Sequence, residues 1–133
     1  MLDQARTAWA PRVLSLLRIM AGLLFVQHGL AKNFQFPHVT SFDNLQLASM
    51  PGIGGLVELV CGALITVGLF TPVAAFLASG EMAVAYFTSH APRGFYPILN
   101  GGNLAVLYCF VFLYLIFAGA GPWSLDALLR KKT

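Results

Sequence analysis

Four apolar runs, Val13–Phe34, Ile53–Phe70, Val73–Ser89 and Leu104–Ala120, occupy more than half of this 133-residue chain. Each is close to the ~20 residues that a helix needs to cross a hydrocarbon core of about 30 Å. Charged residues make up only 10% of the sequence, against about a quarter in soluble globular domains, so the chain lacks the solvating surface of a soluble fold. The pattern predicts an all-α fold, an integral membrane four-helix bundle forming one domain over residues 1–133. Between the second and third runs stands only Thr71-Pro72, a proline that stops one helix and permits a tight reversal into a hairpin. An even number of crossings puts both termini on one side. Arg6, Arg12, Arg130, Lys131 and Lys132 flank that side and only Lys32 and Arg93 the other, so the positive-inside rule predicts cytoplasmic N and C termini. The same placement argues against nucleic acid as the partner of a chain with net charge +3, because the basic residues flank hydrophobic runs and do not cluster with aromatics. Met1–Pro11 is polar and no cleavable signal is expected there.

The two long linkers on the opposite side differ in kind. In Asn33–Gly52, Thr40 followed by Asp43 suggests a helix N-cap with an acidic first turn, and Phe42, Leu45 and Leu47 supply an apolar face. A short interfacial helix is expected there. The segment Ala91–Asn103 carries two prolines and three glycines and is expected to be a non-helical loop, with Phe95 and Tyr96 holding it at the membrane interface. Its end, Asn100-Gly101-Gly102-Asn103, leads into the fourth run. It has two available roles: helix N-terminal amides receiving a polarised ligand group, or simple capping by Asn100 or Asn103.

Polar residues in hydrocarbon are expensive and normally face a protein interior or cavity. Alternating the direction of the four runs brings His28, Lys32, Glu58, His90, Arg93, Asn100 and Asn103 to one outer-leaflet layer, a candidate ligand-binding pocket. Arg18 and Glu81 instead count to about 8–12 Å from the cytoplasmic side, and are expected to pair across the bundle. Helix phase puts Arg18, Gly22, Gly29 and Lys32 on one stripe, and groups Gly54, Glu58, Cys61, Gly62 and Ile65 on one face of the second run. The glycines read as packing surfaces for close helix approach. Ordinary roles stand beside the functional ones: Lys32 as a topological flank, His90 and Arg93 as boundary or loop residues. Glu58 and His28 are harder to assign to structure alone, and together make a plausible acid–base pair. Cys61 and Cys109 are isolated on different runs, which argues against thiol–disulfide exchange. No metal motif, nucleotide fingerprint or c-type haem motif is present. A b-type haem between His28 and His90 is disfavoured by the polar Lys32 and Glu58 nearby.

Arg18 through Gly22 to His28-Gly29-Leu30-Ala31-Lys32, Glu58 between Gly55 and Gly62, and Glu81 to His90-Ala91-Pro92-Arg93-Gly94-Phe95 form an ordered set. Asn100-Gly101-Gly102 and Gly121-Pro122-Trp123-Ser124-Leu125-Asp126 continue it. In this order they resemble the DoxX family of small four-helix bacterial membrane proteins. Members commonly carry glutamate where this chain has Asn103, which removes an acid from the outer layer. The resemblance implies a multi-pass protein of the bacterial inner (plasma) membrane, associated with membrane oxidoreductases. That suggests a redox-associated subunit binding a quinone or similar amphipathic molecule, with Phe25, Phe87 and Phe95 beside the tail. No redox centre or cofactor is encoded, so electrons would come from a partner protein. The alternative is a non-catalytic scaffold or assembly factor whose polar layer satisfies itself. A solute or proton carrier fits less well, because no polar path crosses the inner half beyond Arg18 and Glu81. Membrane lipid is an expected partner, with the tail from Trp123 to Lys132 on the anionic surface, and a homo-oligomer is compatible with four short crossings.

Overall fold

The computed structural model describes Met1–Thr133 and is all-α. Its elements are α1 (Leu2–Phe34), α2 (Met50–Val67), α3 (Thr71–Ala85), a one-turn α4 (Pro97–Asn100), α5 (Asn103–Ala118) and α6 (Leu125–Arg130). Two of them, α1 and α2, are long and apolar enough to cross a membrane, and α5 is a shorter apolar helix. After Ala85 the chain widens into a π-helical turn, Tyr86–His90, that extends α3. Ser49 caps α2 by accepting from the Gly52 amide at 3.3 Å, with Pro51 in the first turn where its missing N–H costs nothing. The linker departs from expectation: the interfacial helix reduces to a single 3₁₀ turn, Thr40–Phe42, without a side-chain cap. Asp43 is engaged instead by His38 Nε2 at 2.6 Å and so does not charge a helix terminus.

The long helices pack as neighbours α1 with α2, α2 with α3, and α3 with α5. Small residues set the first contact: a Cβ on Gly29 would fall 2.7 Å from the Gly55 carbonyl oxygen, so only glycine allows α1 and α2 this close. Alanines 74, 75 and 78 give α3 a flat buried face, and Ser79 Oγ donates to the Cys109 carbonyl at 2.8 Å, tying α3 to α5. Phe25 fills the centre, edge-on to Phe112 at 4.8 Å and to Tyr108 at 5.4 Å between ring centroids. The outward faces are apolar as well. Val60, Phe76, Phe110 and Phe117 all stand exposed, a surface that suits lipid and not water.

One end of the stack holds both termini and the α2–α3 turn; the other holds the two long linkers. The terminal end is clasped by Arg18, which is fully buried. Its Nε donates to the Ala120 carbonyl at 2.7 Å, Nη1 to those of Ile65 and Thr66 at 2.8 and 2.6 Å, and Nη2 to that of Trp123. These carbonyls belong to the last turn of α2 and the chain just past α5, where helix ends leave acceptors free and the dipole favours a cation. The expected Arg18–Glu81 pair is therefore not formed. Backbone carbonyls replace the carboxylate, and Glu81 lies elsewhere. Gly68, at φ 73°, completes the clasp: a Cβ there would sit 2.4 Å from Ser124 Cβ and 2.9 Å from Arg18 Nη1. The tail is likewise docked, not free: Asp126 accepts from the Phe70 and Thr71 amides at 2.9 and 3.0 Å, capping α3.

Candidate functional site

Between the linker-end halves of α2 and α3 lies a cavity of about 680 Å³, completed by α1, α5 and the Ser41–Leu45 part of the linker. Its walls are mainly apolar, including Phe25 and Met82. Ile53 on α2 and Val84 on α3 line it while remaining 54% and 50% exposed, so both rims of the seam are apolar and outward-facing. Phe42 overhangs the linker end, its ring centroid 5.8 Å from Lys32 Nζ.

The polar groups in this cavity converge from four helices. Lys32 Nζ donates to Glu58 Oε1 at 2.7 Å, and the Glu58 side chain is 2% exposed. That pairing engages only half of the carboxylate. Glu58 Oε2, Glu81 Oε2 and the Tyr108 hydroxyl are all buried without a hydrogen-bond partner, and all three residues line the cavity. Buried polar atoms are satisfied in the great majority of native positions, so three unmet atoms around one cavity make it the candidate ligand site. Glu81 reaches it because Gly54 opposite has no side chain; a Cβ there would lie 2.7 Å from Glu81 Oε1. His28 lines the cavity with its Nδ1 held by the Leu24 carbonyl at 2.8 Å and its ring edge-on to Tyr108 at 6.0 Å. His90 stands on the rim, with Nδ1 3.1 Å from the Asn100 carbonyl oxygen.

Of the seven residues expected in one polar layer, His28, Lys32, Glu58 and His90 line this cavity, and Arg93, Asn100 and Asn103 do not. Arg93 is exposed and donates to the Ser89 carbonyl at 3.2 Å. Asn100 is buried but fully used by the loop: Nδ2 donates to the Gly94 carbonyl at 2.6 Å and Oδ1 accepts from the Gly102 amide at 2.8 Å. Tyr86 shares this knot, donating to the Phe95 carbonyl. Asn103 begins α5 and is exposed, its cap position being taken by Gly102. Phe25 lines the cavity as expected of a tail contact, whereas Phe87 and Phe95 point outward. Two contributors escaped notice in the sequence, Glu81 as a cavity group and Tyr108. The buried positions of α5 are Ala105, Tyr108, Phe112 and Leu115, a helical spacing that the apolar residues on its other faces leave without contrast.

The DoxX family model matches residues 13–91, from within α1 through the end of the π-helical turn. An uncharacterized protein of Haemophilus influenzae is 44% identical, with 93% of this chain and 96% of that protein covered. An uncharacterized membrane protein of Mycobacterium tuberculosis is 26% identical, with 87% of this chain and 80% of that protein covered. No solved structure matches. With more than half of its length under the family model and a relative similar from end to end, the chain belongs to the DoxX family.

Proposed function

We propose that this chain is a multi-pass four-helix bundle of the bacterial inner membrane, termini cytoplasmic, that takes an amphipathic small molecule from the lipid into the seam between α2 and α3. The observation that carries the reading is the coincidence of unmet buried polar atoms with an apolar, outward-facing rim at Ile53 and Val84. A head group meets the former and a hydrocarbon tail the latter, which is how sites for small ligands divide their lining. In its redox-associated form the ligand is a quinone. Lys32 Nζ and the Tyr108 hydroxyl supply donors for its carbonyls, Glu58 Oε2 and Glu81 Oε2 accept from the hydroxyls of its quinol form, and a partner protein exchanges the electrons, since this chain encodes no redox centre. A self-satisfied scaffold layer accounts less well for the site, because Glu58 Oε2, Glu81 Oε2 and Tyr108 are left without partners.

The reading is tested by quinone titration in nanodiscs against the wild type and Ala85→Phe, which adds bulk from a partly buried wall position and leaves every polar residue in the sequence. Saturable binding, weakened about tenfold or more by Ala85→Phe, is expected, one excluded contact set being worth at least 1.4 kcal/mol. Non-saturable uptake identical in both proteins would reduce the signal to partition into lipid.

A further inference from the structure

We propose that the cavity takes a further ligand class, a membrane-dissolved primary amine in its ammonium form, held by Glu58, Glu81 and Tyr108. The inference rests on the cavity being a ligand site but not on the ligand being a quinone. Charge is the first argument. Two carboxylates, Glu58 and Glu81, and one ammonium, Lys32, face the same cavity. The acids outnumber the ammonium, so a second cation is the group that lets both carry their charge in an apolar setting. Hydrogen bonding is the second and independent argument. Glu58 is 1% and Tyr108 5% exposed, and each presents an unpartnered oxygen, as does Glu81. Three unmet oxygens correspond to the three N–H donors of a primary ammonium. An ionised carboxylate only accepts, so a head group that only accepts leaves both free carboxylate oxygens unmet. The wall is the third: Phe25 and Tyr108 bring aromatic rings to the cavity, a lining that suits a cation. The apolar rim fits an amine carrying an alkyl chain and not a water-soluble one.

Two sources share this chemistry, a free long-chain amine and the ethanolamine head group of a phospholipid, and the experiment separates them. Dodecylamine is titrated into the full-length protein in phosphatidylcholine nanodiscs, with protein-free nanodiscs as the reference. Parallel titrations use the dodecyl-trimethylammonium ion, which keeps charge and chain but has no N–H, and a decyl-quinone. The primary amine is expected to bind saturably and about tenfold or more tighter than the trimethylammonium ion, the factor that follows from leaving buried acceptors unmet. Glu81→Gln is expected to weaken the amine by a similar factor. Tyr108→Phe, which removes one acceptor and keeps the ring, does so more modestly and serves if the first variant does not fold. If adding phosphatidylethanolamine to the nanodiscs weakens dodecylamine binding, the lipid head group occupies the site; if it does not, the free amine is the ligand. Equal binding of the primary and trimethylammonium ions would overturn the proposal, leaving only charge attraction. Saturable quinone binding without amine binding overturns it while leaving the ligand cavity intact, and absence of both removes the cavity reading as well.

Discussion

Arg18→Met is expected to cost about 4 kcal/mol or more of stability. The side chain is 0% exposed and its guanidinium donates to four backbone carbonyls, those of Ile65, Thr66, Ala120 and Trp123. Hydrogen bonds involving a charged group contribute about 1.5–3 kcal/mol each, and removing the donor leaves buried acceptors with no partner. Methionine fills much of the volume, so the loss comes from the donors and not from a cavity. Arg18→Lys is expected to fall between the two, because one ammonium cannot reproduce a planar fork that reaches four carbonyls on two chain segments. Thermal unfolding in a mild detergent checks the order Arg, Lys, Met. A midpoint for Arg18→Met within about 3 °C of the wild type, under roughly 1 kcal/mol, would show that the clasp contributes little. Glu81→Gln in the same assay is expected not to destabilise, since no bond joins it to Arg18 and the change removes a buried acid without a partner.

Lys32→Met is expected to destabilise the protein by about 3–5 kcal/mol, because it strands the Glu58 carboxylate in a buried position. Glu58→Gln is expected to cost less, about 1–2 kcal/mol: Lys32 is 14% exposed and can carry its ammonium towards water, while the amide keeps an acceptor for it. The double variant Lys32→Met with Glu58→Gln should then recover about 2 kcal/mol relative to the sum of the singles, a coupling typical of directly bonded groups. Denaturant unfolding of the four proteins measures that coupling. Additive losses would mean that the 2.7 Å contact carries no interaction energy.

The helical class was legible because its signal is one-dimensional: run length, charge exclusion and the proline at Thr71-Pro72 need no knowledge of the third dimension. The glycine stripe on α1 was legible for the same reason, helix phase alone placing Gly22 and Gly29 on one face. Arg18 shows where such arithmetic stops. Depth put it level with Glu81, but its partners are backbone carbonyls at helix ends, which every residue has and no sequence advertises. Glu81 enters the cavity because Gly54 leaves room, a relation between residues on separate helices that neither position reveals. Asn100 had two open roles, and the loop's own need for hydrogen bonds claims it, since the groups that turn buries, at Asn100 and Gly102, must be satisfied locally. The interfacial helix between Asn33 and Gly52 shrank to one turn for a related reason. Helix nucleation is unfavourable for a short segment, and the His38–Asp43 contact uses the side chain that would have charged its first turn. Tyr108 was hidden by a fourth run so uniformly apolar that its buried face has no polar contrast.

The most direct measurement is a crystal structure of the protein grown from a lipidic mesophase, after purification without added ligand. Electron density is predicted in the seam between α2 and α3, with a polar end within about 3.2 Å of Glu58 Oε2, Glu81 Oε2 or the Tyr108 hydroxyl and an apolar end running out between Ile53 and Val84. A closed seam, with Glu58, Glu81 and Tyr108 bonded to one another or to Lys32 and His28 and no space between them, would contradict the account and return the polar layer to a purely structural role.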